Sequence, residues 1–144
     1  LQQADEKKKQ QLQQELNAFQ QERNALAKEV FEHSKIAAKM ERIIASYKAC
    51  DKSDERLSEE DWKCLIVETD MRWNKVITRL STQYKLSKIE RHLCCLFLTD
   101  FPIANLAYLI QLTRSTIYRK EKEIKKKISC PSDISKLRDF LEIY

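Results

Sequence analysis

The chain has no glycine and only two prolines among its 144 residues. Hairpin turns need residues at positive φ, which glycine adopts without steric cost, so a sheet built from hairpins is excluded at the outset. Histidine is scarce as well, with two, and the five cysteines (Cys50, Cys64, Cys94, Cys95, Cys130) form no Cys-x-x-Cys pair. Such spacing supports neither a zinc nor a disulfide framework, and neither a metal nor a cofactor is expected. Free thiols suit a reducing cytoplasm. No apolar run is long enough to span a bilayer, and no signal peptide is recognisable. The pattern holds no nucleophile paired with a base, no metal cluster and no glycine-rich phosphate loop. Nothing in it points to an enzyme or to a small-molecule ligand.

What is present forms helix. With 42% hydrophobic and 34% charged residues, the chain can build one modest core and an amphipathic rod. The fold class is all-α: a long coiled-coil helix over residues 1–50, then a small helical domain over residues 51–144. In the rod, Leu12, Leu16, Phe19, Leu26, Val30, Met40, Ile44 and Tyr47 follow a 4-3 spacing, with Arg23, His33 and Ala37 at the intervening seam positions. This repeat marks a left-handed coiled coil, so Leu12, Leu16, Phe19, Leu26 and Val30 are expected to pair two copies as a parallel homodimer. Arg23 and His33 weaken the seam as tolerated polar residues. From Ile36 the stripe widens to include Ile43, which predicts that this end packs on the domain. Residues 49–56 are polar and read as the hinge.

Ser58 with Asp61 makes a capping box. The helix it opens is expected to run through residues 62–84 and to bury both Trp62 and Trp73 against the rest of the domain. Ser87 with Glu90 opens the next, whose apolar run is Leu93-Cys-Cys-Leu-Phe-Leu98. Neighbours on a helix diverge by about 100°, so Cys94 and Cys95 are not expected to face the core together. Asp100-Phe101-Pro102 ends that helix. A short helix at 103–109, a turn at 110–112 and a helix capped by Thr113 then make a helix-turn-helix within residues 86–128.

Residues 113–127 carry seven Lys/Arg against Glu121 and Glu123, a net +5 that equals the charge of the entire chain. Positive charge gathered on one helix is the footprint of a nucleic-acid reader. Its candidate contacts with double-stranded DNA are Thr113, Arg114, Ser115, Thr116, Tyr118, Arg119, Lys120 and Lys122. Arg114 lies in the first turn, where a guanidinium fork can meet guanine N7 and O6. Ser115, Thr116 and Tyr118 can bond bases or phosphates, and Arg119, Lys120 and Lys122 suit phosphates. Lys125, Lys126 and Lys127 are assigned mainly to solubility, and Leu106, Leu109, Ile117 and Ile124 to holding the two helices together.

In this order, Leu86, Ser87, Glu90, Leu93, Leu96, Leu106-Ala107, Leu112, Thr113, Thr116, Ile117, Ile124, Lys127 and Ile128 resemble the LuxR-type helix-turn-helix. Asp61-Trp62 ahead of it and Leu137-Arg-Asp-Phe140-Leu141 behind it are similar to the C-terminal region of a bacterial group. Members of that group join tetratricopeptide repeats, a transmembrane helix, a coiled coil and this reader. The resemblance implies a sequence-specific, dimeric transcriptional regulator, cytoplasmic in this stretch, and leaves room for an inner-membrane anchor ahead of it. Gln111 stands where the family often has a turn glycine, so the turn is built another way or holds a left-handed residue at a cost. Lys120 and Glu121 occupy mid-helix positions that are bulkier and less charged in the family. The competing reading is a coiled-coil interaction module whose degenerate helix-turn-helix does not bind DNA.

Overall fold

A computed structural model describes residues 2–32, 34–50 and 55–144. Eight helices follow one another along them: α1 (Gln2–Glu32), α2 (Lys35–Lys48), α3 (Glu59–Arg72), α4 (Val76–Tyr84), α5 (Lys88–Phe97), α6 (Ile103–Ile110), α7 (Arg114–Lys127) and α8 (Leu137–Ile143). The fold is all-α, a long first helix followed by smaller ones, with no strand among the described residues. None of these helices is long and apolar enough to cross a membrane. His33 at the seam and residues 51–54 of the expected hinge lie outside the described residues.

The single helix expected over residues 1–50 is in fact two. Ser34 caps α2, its hydroxyl accepting the Ala37 N–H at 3.2 Å. The cause of the break is a conflict of faces. Phe31 is buried under the Arg72 guanidinium, 4.1 Å from ring centroid to Cζ, while α2 buries Ile36, Ala37, Met40, Ile43 and Ile44. On an unbroken helix Phe31 and the centre of that stripe would point about 180° apart. Breaking at Ser34 lets both enter one core, in which the α2 residues join Leu65, Leu93 and Ile117.

A second break corrects the helix expected through residues 62–84. Asn74 and Lys75 both take positive φ, 52° and 58°, ending α3 and starting α4. Asp70 bridges the gap: its carboxylate accepts the N–H groups of Ile77 (2.8 Å) and Thr78 (3.2 Å) and the Thr78 hydroxyl (2.5 Å). Those donors would otherwise be orphaned at the new helix start. The break also separates the two indoles. Trp62 is buried and stacks on the His92 ring of α5, centroids 4.1 Å apart and 4° from parallel. Trp73 is only half-buried and faces a cleft shared with α1 and α8, so the expectation of two indoles against the helix-turn-helix holds for Trp62 alone.

Helix α5 is the centre of the domain, packed against α3, α4, α6, α7 and α8. With helices all round it, the stretch from His92 to Phe97 leaves no face to solvent. Cys94 and Cys95 are therefore both fully buried, against the expectation that one would turn outward. Burial pushes both thiols up, Cys95 to about 12. Burial also pulls the His92 imidazole down to about 4, with the charges of Lys88 and Arg91 acting the same way. Carbonyls just past the C-terminus of α5 are taken by arginines from other helices. Arg72 donates to Leu98 O at 3.4 Å, and Arg138 to Thr99 O at 2.8 Å while pairing with Asp100 and Glu142. Cations at that end also complement the helix dipole.

Candidate nucleic-acid interface

The basic stretch forms α7, set on the domain by apolar packing. Leu106 and Leu109 of α6 are buried, as are Ile117 and Ile124 of α7 and Ile128 just beyond it. Between the helices Gln111 caps α6 at φ 62°, ψ 40°, the left-handed region. With a Cβ to accommodate, that conformation costs roughly 1–2 kcal/mol. Thr113 then caps α7: its hydroxyl accepts the Thr116 N–H at 3.2 Å and donates to the Thr116 hydroxyl at 2.8 Å. Thr113 and Thr116 thus serve first to fix the start of the helix.

At about 100° per residue, Arg114, Ser115, Tyr118, Arg119 and Lys122 fall within an arc of about 140° opposite the isoleucines. All five are exposed. Arg114, Tyr118, Arg119 and Lys122 make no hydrogen bond or ion pair among the described residues. Thr116 and Lys120 turn to the flank and are half-buried, Lys120 pairing with Glu123 at 3.4 Å. Five of the eight candidate residues therefore share the outer face, Thr113 is the cap ahead of it, and Thr116 and Lys120 do not point with them.

At the other end of α7 two of the three cations, all but Lys126, are already engaged. Lys127 pairs at 2.9 Å with Glu90, and Lys125 donates to Ser135 O at 2.8 Å. Burial alone would raise the Glu90 carboxyl, but the Lys127 hydrogen bond and the Ser87 N–H hold it below its usual range. The first turn of α5 is in this way tied to the last turn of α7. Glu90 is legible in the sequence as a capping residue, yet its partner 37 positions away is not.

The sequence also gave no sign of the clasp beside the turn. Tyr47 of α2 lies flat on Tyr108 of α6, centroids 5.1 Å apart and 7° from parallel. The Gln111 side-chain amide donates to the Tyr47 hydroxyl and to Tyr108 O. Spacing alone assigns Tyr47 to the rod's seam, whereas the structure puts it against the turn.

The seam residues lie elsewhere. Leu12, Leu16, Phe19, Leu26 and Val30 of α1 are between 52% and 73% exposed. Helix α1 docks on the domain by a neighbouring line: Gln20 and Asn24 border the Trp73 cleft, Ala27 is half-buried and Phe31 buried. That line is about a quarter turn round the helix from the seam. Among the described residues, no three of His, Cys, Asp and Glu gather where they could hold a metal ion. No family model, curated protein sequence or solved structure matches the chain.

Proposed function

We propose that the chain is a sequence-specific DNA-binding transcriptional regulator of the LuxR-like helix-turn-helix kind, acting as a homodimer joined through α1. One observation carries the reading. On α7, Arg114, Arg119 and Lys122 stand outward on one side without protein partners among the described residues, as does Lys126 further along, whereas Lys120, Lys125 and Lys127 are held by Glu123, Ser135 and Glu90. A helix that only needed a solvated face has no reason to leave the cations of its first turns free on one side. A reader does, because its first turns enter the major groove. In this mechanism Arg114 meets a base edge, Ser115 and Tyr118 add hydrogen bonds, and Arg119 and Lys122 meet phosphates. Helix α6 crosses the backbone.

The test is a titration of wild type, Arg114→Ala and Lys122→Ala against a selected duplex and a scrambled one at two salt concentrations. Arg114→Ala should lower affinity for the selected site by roughly 1–3 kcal/mol and flatten preference at one base pair. Lys122→Ala should weaken both duplexes about equally and reduce the salt slope by about one. Parallel losses on both duplexes would make α7 an electrostatic surface only. A wild type without salt-dependent binding would favour the interaction module, for which the exposed seam of α1 is the supporting feature.

A further inference from the structure

We infer that Tyr47 is a positioning residue for α7: its hydroxyl, bonded to the Gln111 side chain, holds the turn in the left-handed form that glycine would take unaided. Six described residues have positive φ: Cys50, Asn74, Lys75, Lys85, Gln111 and Ser129. Gln111 is the one among them whose own side chain is hydrogen-bonded. Both protons of its amide nitrogen are used, one on Tyr47 and one on Tyr108 O, and the two tyrosine rings lie face to face. Three segments therefore converge on one amide group: the last turn of α2, the last turn of α6 and the turn itself. Two residues further on, Thr113 begins α7 and Arg114 follows. The direction in which α7 leaves α6 is set by the torsions at Gln111, so whatever fixes that residue also aims the first turn. Helix α2 is then part of the helix-turn-helix, although residues 51–54 and the whole of α3 to α5 separate the two in sequence. The effect on DNA affinity rests on the reading of α7 given above; the effect on the turn does not.

A double-substitution cycle on the full chain separates the clasp from ordinary packing. Tyr47→Phe keeps the ring stack and removes only the hydroxyl. Gln111→Gly removes the need for a clasp, because glycine takes positive φ freely. Two readouts apply: amide exchange at Thr116 and Ile117, whose N–H groups close the first turn on Thr113, and affinity for the selected duplex. Tyr47→Phe should speed that exchange and weaken binding, each by roughly twofold to tenfold, the worth of one hydrogen bond. In the Gln111→Gly background the same change should have no effect on either. Equal effects in both backgrounds, or none on the first-turn amides in the wild-type background, would overturn the inference. If the wild type binds no duplex, the proposed function falls and the exchange cycle alone decides on the clasp.

Discussion

Helices α1 and α7 solve opposite problems. Helix α7 turns its isoleucines inward and leaves arginine, tyrosine and lysine in solvent, so the apolar pattern is accounted for by the folding of one chain. Helix α1 does the reverse over most of its length. It keeps Leu12, Leu16, Phe19, Leu26 and Val30 outside and docks through a line that includes Gln20 and Asn24. Exposed apolar residues repeating at 4-3 spacing are not explained by the fold of a single chain, and the proposed dimer is the reading that would cover them. One helix thus has its apolar face covered by folding, and the other does not.

The largest expected effect breaks or confirms that contrast directly. Ile124→Ala should cost about 2–5 kcal/mol in urea unfolding, because Ile124 is fully buried. Leu26→Ala, measured at a dilution where association is negligible, should stay within about 0.5 kcal/mol of wild type. Similar losses for the two would mean that the seam packs within the chain. Next in size is assembly itself. Sedimentation at micromolar concentration should show a dimer, and Leu16→Asp together with Leu26→Asp should give a folded monomer with unchanged unfolding in the domain. A wild type that stays monomeric at high concentration removes the dimer and leaves α7 untouched.

The smallest effect sharpens the domain side alone. His92, stacked on Trp62, is held neutral down to about pH 4, whereas in the unfolded chain it takes a proton near 6.5. Between those values the unfolded state binds the extra proton, so stability is full above about pH 6.5 and declines as the pH falls towards 4. Asp61 and Glu90, both held below their usual range despite partial burial, add their own loss only at the acid end. Urea midpoints at several pH values check this, and His92→Phe should flatten the slope between pH 6.5 and 5. An unchanged slope in that variant would place the sensitivity elsewhere.

Elements whose signal lies within a few residues were legible beforehand. The boxes Ser58/Asp61 and Ser87/Glu90 form as drawn, the Thr113 cap forms, and Asp100-Phe101-Pro102 separates α5 from α6. What misled was the assumption that one apolar stripe means one helix. The break at Ser34 arises because Phe31 and the α2 stripe must reach a common core from different directions, and periodicity does not record that core; at Asn74 the stripe runs on across the break, so periodicity carries no sign of it. The inward turn of both Cys94 and Cys95 has the same origin: the pattern cannot show that five helices surround α5. On α7 the exposed arc followed from spacing, whereas the engagement of Lys125 and Lys127 depended on Ser135 and Glu90, which no local rule connects. Tyr47 is the clearest case, a residue with perfect seam spacing that serves the turn instead.

The two enclosed thiols of α5 make the protein its own clock for opening. Cys50 and Cys64 are exposed and Cys130 is half-buried, so a thiol reagent should consume the first two at once. Cys94 and Cys95 are doubly protected, by enclosure and by the near absence of thiolate at neutral pH. Fraying of α1 leaves the helices packed on α5 in place, and the thiols are reached only when those surrounding helices separate. The slow phase of labelling therefore counts openings that expose α5, and where reclosing outpaces labelling its rate converts to an opening free energy without any added probe.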